Sequence, residues 1–486
     1  MNFELDTDAI KAAVIAWFMK WKSTIYTFIW GLLMALAVIC WPYFDSKEEV
    51  EPEIEKVGLA EGCIKPNALT AEDKKFASVA WKYFENNYQA ATGFTNSTDG
   101  YPSTTMWDTG SVIAAMVTAR ELKLINAADF HQRMSKMLSS LSTIPLFDGE
   151  APNKVYHAES SQMVDYGNKL APKGIGTSIL DLARLVSWLN ILSCLYPEYH
   201  DTAMQVITRW SYCRTIRNGQ MYGFSFRKDT TKVVQEGRVG YEQYAGAIFE
   251  MVGFDQRVSK SYENKFRDTT EIYGVPVAFD KRDAATKGAN NYVVTESYVL
   301  DIIENGEDPV KNKLMKNIFN VQKKRWQDTG VLTAVSEDNI DREPWFLYNT
   351  IYVNGDTWAT IKDDGKDFSQ FKSLSVKAAY GLAVLFPEES YSKKLLKAIR
   401  PVHDPEKGWY SGIYEDKELS FNKALSGNTN GIILETILYK MYGTLKDVCK
   451  TCGKPLAFTP AYAEKPENLG KCFPLKMMSK VSGQAA

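Results

Sequence analysis

The chain has 486 residues, 45% of them hydrophobic, and a formal net charge of -2. The length admits two or three domains, or one large helical toroid or barrel. The near-neutral balance argues against a nucleic-acid partner, because phosphate binding needs a concentrated positive surface. Aromatic residues make up 13%, with 12 Trp and 26 Tyr. Sugar-binding clefts use such rings as flat apolar platforms, and large cores use them too.

In chain order, residues 1–22 read as a cytoplasmic segment, with an amphipathic helix over "FELDTDAIKAAVIAWFMKWK" lying on the inner membrane surface. "STIYTFIWGLLMALAVICWPYF", residues 23–44, carries no charge and has the length of a bilayer-spanning helix. Lys11, Lys20 and Lys22 precede it, and Asp45, Glu48, Glu49 and Glu51 follow. The positive-inside rule then places the short N-terminal segment in the cytoplasm and the main body outside it. A cleaved signal peptide is the competing reading, but the apolar run is long for one and lacks a small-x-small site. Residues 45–67 are acidic and Pro-containing and read as a linker.

Six cysteines lie beyond the apolar segment, at Cys63, Cys194, Cys213, Cys449, Cys452 and Cys472. An even number in an oxidising region reads as structural disulfides, with the pairing left open. "CKTC" at 449–452 has no second pair to complete a zinc site. The four histidines show no metal-ligand spacing, and no phosphate loop or dinucleotide fingerprint is present, so no cofactor is expected.

From Thr70 onward the chain is a succession of helical patterns. They begin at "AEDKKFASVAWKYFENNY", which Thr70 and Asp73 cap as a box-like pair. About twelve such patterns follow one another to "NGIILETILYKMYG", and "EPWFLYNTIYVNG" is counted among them. "GQMYGFSF", "GVLTAVSE" and "GWYSGIYE" are short strand-like pieces, and "RKDTTK" and "KRDAATKGANN" read as loops, the second a polar flap. Helices rich in small and apolar residues alternate with helices charged on one face. That is the pattern of an inner ring inside an outer ring. The expected architecture is all-α: an (α/α)6 toroid over 68–445 with short β-hairpin insertions. One N-terminal transmembrane helix precedes it, and a Cys-containing extension over 446–486 follows.

The inner helices open with polar residues: Trp107-Asp108-Thr109, Thr177-Ser178, Tyr241-Glu242 with Tyr244, Thr295-Glu296, and Asn428 with Asn430. Each is an ordinary N-cap candidate taken singly. In an antiparallel toroid all these mouths gather at one end and line a cleft. The motifs "WDTGS", "GIGTS", "GYEQYAG" and "NTNGIILETILYKMYG", in that order, resemble the glucoamylase-like toroid proteins of bacterial envelopes. In particular they resemble an uncharacterised domain family associated with exopolysaccharide systems. The resemblance spans about residues 68 to 445. It implies an (α/α)6 fold and a carbohydrate-related role, and supplies no catalytic pair.

Glycoside hydrolysis uses two carboxyl groups across the scissile bond, one protonated and one ionised. Glu242 is expected as the acid, because Tyr241 and Tyr244 flank it and apolar neighbours raise a carboxyl pKa. The competing reading is a structural ion pair with Arg238 or another base. Asp108 is expected as the base, both cap and cleft residue, since a helix N-terminus stabilises a carboxylate. Glu296 is the substitute for either. Glu236 and Glu337 lie on adjoining loops, and Glu337 in "SEDNIDREPW" reads as a solvated surface run. Trp107, Trp345, Tyr352 and Trp358 are candidate sugar platforms. Thr109, Thr177, Tyr241, Tyr244, Asn428 and Asn430 are the remaining candidate substrate contacts. The leading expectation is an anchored envelope glycoside hydrolase acting on a glycan or polysaccharide. A non-catalytic glycan-binding or scaffold subunit of a polysaccharide synthesis or export system is the alternative. A lyase using Tyr241 or Tyr244 as base beside Arg238 is the third.

Overall fold

The computed structural model describes residues 7–45, 63, 65–236, 238–287, 289–459 and 463–474. The chain divides into two units, Met1–Lys56 and Val57–Ala486. In the first, one helix, α1 (Thr7–Asp45), runs through the expected boundary at 22/23. Its described apolar side chains, among them Trp17, Phe18, Phe28 and Trp30, are exposed. No helix of the described residues is long and apolar enough to cross a membrane. Of the expected anchor, the side chains of residues 25, 33 and 35–44 lie outside the described residues, as do most of the linker and the tail beyond 474.

The second unit holds α2 (Ala71–Asn86), α3 (Met106–Glu121), α4 (Ala127–Leu141), α5 (Ile179–Leu195), α6 (His200–Thr208) and α7 (Tyr241–Met251). After these come α8 (Ala284–Lys287), α9 (Thr295–Asn305), α10 (Pro309–Thr329), α11 (Val376–Leu385), α12 (Ser390–Ile399), α13 (Gly427–Tyr442) and α14 (Leu445–Thr451). Helices α3, α5, α7, α9, α11 and α13 each pack on the next, and α13 packs back on α3, so they close an inner ring of six. These helices are buried on nearly every side; in α5 all residues but Asp181 are buried. Small residues permit the close approach. A Cβ at Gly110 would stand 3.1 Å from the Arg184 carbonyl oxygen, and one at Gly431 3.0 Å from that of Ser111.

The outer ring departs from the expected six. Helices α2, α4, α6, α10 and α12 occupy five positions. Between α7 and α9 the chain instead forms a hairpin, Arg267–Ile272 with Val275–Asp280, that packs on α10. The all-α description is also too coarse, since the described residues contain seven sheets, two of them four-stranded. One joins Gly176–Thr177, Ile216–Arg217, Gln220–Arg227 and Thr230–Gln235; the other joins Ser373–Ser375, His403–Asp404, Gly408–Tyr414 and Phe421–Leu425. Strands from these sheets lead directly into α5, α11 and α13, so they form a collar at the N-terminal ends of the inner helices.

Three sequence expectations change. "EPWFLYNTIYVNG" is not a helix: Phe346–Asn349 pairs with Glu337–Asn339 and with Thr360–Ile361. "GVLTAVSE" pairs as a strand only at its last residue; Ala334 and Val335 instead offer their carbonyls to Ser375 and Thr295 at two helix mouths. "RKDTTK" is the turn of a hairpin rather than a free loop.

The opposite end of the ring is closed by α14, which packs on α5, α9 and α13. Disulfides Cys194–Cys449, Cys63–Cys452 and Cys213–Cys472 hold this segment down. All six cysteines outside the apolar segment are thus paired.

Halfway down the ring a charged cluster crosses its axis. Arg184 of α5 donates to Glu304 of α9 at 2.5 Å and to Glu435 of α13 at 2.6 Å, with none of the three accessible to solvent beyond 1%. Tyr244 of α7 donates to Glu304 at 2.9 Å, Trp188 at 3.2 Å, and Ser187 also donates to it. Burial pushes the Glu435 carboxyl well above its usual range. Glu435 Oε1 has no hydrogen-bond partner, and one cation faces two carboxyl groups. Removing one member of a buried ion pair strands the others in a low-dielectric interior. Arg184→Met is therefore expected to lower stability by about 3–5 kcal/mol, read as an earlier midpoint in urea unfolding.

Candidate active site

The six inner helices bring their first turns together. Thr105 caps α3, accepting from Asp108 N at 3.0 Å, and its hydroxyl donates to the Asp108 carboxylate at 2.7 Å. Asp108 is therefore the third helical residue and the partner of the cap, not the cap itself. The same pair recurs on α5, where Ser178 accepts from Asp181 N at 3.3 Å and donates to its carboxylate at 3.0 Å. Asp181 escaped the sequence reading, although "TMWD" and "SILD" carry the same spacing as the Thr70–Asp73 capping box.

Glu296 opens α9 and is buried. Asn428 on α13 donates to its two oxygens at 3.1 and 3.2 Å, and Lys377 on α11 pairs with it. The Asn428 side-chain oxygen accepts from Trp107 Nε1 at 3.1 Å. Lys377 also lies 3.6 Å from Asp338, so one buried cation faces two carboxyl groups. Burial pushes Asp338 up to about 7.

Glu337 stands beside them on the strand Glu337–Asn339. It is half-buried and accepts from the Tyr241 hydroxyl at 2.6 Å. Burial, then the charge of Glu296, pushes Glu337 up to about 7. The expected solvated surface run is thus a wall of the cleft. Burial likewise raises Asp108, and the Glu296 charge acts on it in the same direction. Burial and the neighbouring Glu236 push Asp181 up to about 7. Glu236 accepts from Ile179 N at 2.9 Å at the mouth of α5. Asp108, Asp181 and Glu337 remain partly open to solvent within the ring.

Glu242 faces elsewhere. It is 1% exposed and ion-paired with Arg282, whose other partner is Asp280 at 2.5 Å. The competing ion-pair reading describes this contact, with Arg282 in place of Arg238. Burial pushes Glu242 up to about 7. The expected flap over 281–291 is pinned by this contact, and by Asn291, which donates to the Asp280 carbonyl at 2.6 Å.

Several expected substrate contacts are spent inside the fold. Thr109 donates to the Thr105 carbonyl at 2.7 Å, and Thr177 is buried. Asn430 bonds to the Trp409 backbone and the Ser426 carbonyl. Tyr244 belongs to the deeper Arg184 cluster. Tyr352 packs on Phe279 at 4.5 Å, and Trp358 is 9% exposed. Trp107 and Asn428 are half-buried at the cleft, Tyr241 is buried and meets it through its hydroxyl bond to Glu337, and Trp345 is exposed. Tyr292 and Tyr348, which stack at 4.3 Å, extend the wall beyond Tyr241 and were not singled out in the sequence. Among the described residues, no group of His, Cys, Asp and Glu is arranged to hold a metal ion.

The Tyr241 hydroxyl favours the ionised form of Glu337. Tyr241→Phe is therefore expected to move the Glu337 titration upward. Carboxyl chemical shifts of 13C-labelled protein followed against pH, with the resonance assigned by Glu337→Gln, check this.

Solved structures share the fold at low identity. An endo-beta-1,2-glucanase from Chitinophaga pinensis, in complex with sophorotriose and glucose, is 12% identical with a TM-score of 0.57, covering 83% of this chain and 97% of that one. A putative glucoamylase from Bacteroides fragilis is 12% identical with a TM-score of 0.56, covering 83% and 96%. One from Bacteroides uniformis is 13% identical with a TM-score of 0.56, covering 83% and 97%. The glucoamylase-like toroid implied by the helix-mouth motifs is therefore the fold of this chain. No curated protein matches the sequence. A family model does match, over residues 75–443, and the chain belongs to that family, described as "Protein of unknown function (DUF3131)".

Proposed function

We propose that the protein is a glycoside hydrolase whose cleft lies at the N-terminal mouths of the inner ring. The observation that carries this is the gathering of Asp108 and Glu337 about the buried Glu296–Lys377 pair, with Asp181 on the far side of Asp108 and with Asp181 and Glu337 pushed up to about 7. Glycosidic cleavage needs one carboxyl group that holds a proton near neutral pH and a second that is ionised. Glu337 is the acid in this reading and Asp108 the base. Hydroxyl bonds from Thr105 and Ser97 favour the ionised form of Asp108. Glu296, ion-paired with Lys377, raises both through its charge. The glucan-related proteins of the same fold support a glycan as substrate.

The lyase reading loses ground on one contact. The Tyr241 hydroxyl is donated to Glu337, and burial raises it well above its usual range, which does not suit a base. An inner-membrane anchor over 23–44, a periplasmic body and partnership with polysaccharide synthesis or export proteins belong to the same proposal. The three disulfides support an oxidising compartment.

Release of reducing ends from a panel of glucans and exopolysaccharides tests the reading. Glu337→Gln and Asp108→Asn are expected to lower activity by about 10²–10⁴-fold with the helical circular dichroism intact. Glu242→Gln is expected to stay within a few-fold of the parent chain. A loss confined to Glu242→Gln would overturn the assignment. The acid must carry a proton, and Glu337 loses its own as pH rises through about 7. Activity should therefore fall across that range, and Glu337→Asp should shift the limb.

A further inference from the structure

Five aromatic side chains are exposed among the described residues of 57–486: Tyr101, Tyr166, Tyr273, Trp345 and Phe346. Four of them stand around the mouth of one cleft. The strands Glu337–Asn339 and Phe346–Asn349 pair Glu337 with Tyr348 and Asn339 with Phe346. Cross-strand partners share a face and successive residues alternate. Phe346 and Asn339 therefore continue, toward the turn, the face that carries Glu337 and Tyr348. Ring contacts run on inward from them, with Tyr241 and Tyr292 buried behind the wall. Trp107 meets Tyr241 at 5.5 Å and Tyr241 meets Tyr292 at 6.2 Å. Tyr292 stacks on Tyr348 at 4.3 Å, and Tyr348 meets Phe346 at 5.3 Å. Trp345, 59% exposed, precedes Phe346 at the turn, where its backbone bonds to Ile340 and Arg342 fix its place.

The opposite rim answers this row. Asn339 donates to Thr98 at 3.3 Å, Thr98 bridges to Tyr101, and the Tyr101 hydroxyl donates to the Tyr166 carbonyl at 3.1 Å. Tyr166 is 68% exposed, yet the protein around its hydroxyl, and after it the charge of Asp181, raise its pKa well above the usual range. It hangs in solvent within the concavity. An exposed aromatic forgoes the gain of burial. Four gathered at one opening, joined by further rings to the carboxyl groups inside, form a binding wall that lacks its partner.

We propose that this rim, Trp345 and Phe346 on one side with Tyr166 and Tyr101 on the other, grips a glycan chain several sugar units long and feeds it toward Glu337. The occupant is a linear oligosaccharide or polysaccharide rather than a mono- or disaccharide, because the row runs on outward past the carboxyl groups. The identity of the occupant as a glycan rests on the reading of the cleft given above. Sugar rings offer an apolar C–H face that stacks on aromatics, with hydroxyls left to polar groups such as Asn339.

The test is equilibrium binding by the full-length chain carrying Glu337→Gln. The probes are long β-1,2-glucan against sophorotriose, with matched polymer and trisaccharide pairs of β-1,3- and β-1,4-glucan. At least one polymer is expected to bind about tenfold tighter than its trisaccharide. Trp345→Ala with Phe346→Ala, and separately Tyr166→Ala, should erase that difference and leave trisaccharide binding unchanged. Quenching of tryptophan fluorescence by the polymer should be lost with Trp345→Phe. Equal affinity for polymer and trisaccharide, an unchanged polymer affinity in both rim variants, or no polymer bound at all would overturn the inference. Length-dependent binding without reducing-end release from the parent chain would remove the hydrolase reading and leave the rim standing. Hydrolysis with no length dependence would do the reverse.

Discussion

Arg184 at the axis of the ring is the constraint on which the rest of the structure depends. A toroid of six inner helices leaves a central space that apolar side chains alone must fill from all sides. Here a guanidinium reaches from α5 to carboxyl groups on α9 and α13, with Tyr244 of α7 and Ser111 of α3 bonded to the same cluster. Five of the six inner helices are thereby tied at one level. The planar fork of Arg presents its donors in fixed directions toward both carboxyl partners. Above this level the first helical turns are held in register, and below it α14 and its disulfides close the floor.

The charge arithmetic repeats through the molecule. Arg184 faces Glu304 and Glu435, Lys377 faces Glu296 and Asp338 with Glu337 nearby, and Arg282 faces Glu242 and Asp280. In each cluster the carboxyl groups outnumber the cations. Burial then makes a bound proton cheaper than a second negative charge, and at least one acid in each rises toward or beyond neutrality. Glu435 and Glu242 are closed off in the interior. Glu337 is different, because its side chain is partly open to the cleft. Solvent access, not the pKa shift, separates the candidate acid from its buried counterparts.

Much of this was legible in the chain. Alternation of small-apolar with amphipathic helices marks two rings, because a helix buried all round and one buried on a stripe leave different residue patterns. The motifs at the helix mouths carry the family resemblance. Two pieces misled. "EPWFLYNTIYVNG" has apolar residues at helical spacing, but pairing with the strands at 337–339 and 360–361 overrides that period. The sixth outer position also reads as nothing in particular, since a hairpin fills it.

The sequence by itself determined the ring of helices, the even set of cysteines destined for disulfides, and the presence of acids in the first helical turns. It did so because periodicity and capping are local, set within four residues. Which acids meet was decided only by the tertiary structure. Tyr241 and Glu242 are neighbours in the chain, yet one residue of helix turns the side chain by about 100°, so Tyr241 faces Glu337 and Glu242 faces Arg282. Lys377, which neutralises Glu296, lies on another helix entirely. Ion-pair partners and solvent access are set by which helix faces close on one another, and no spacing along the chain encodes that.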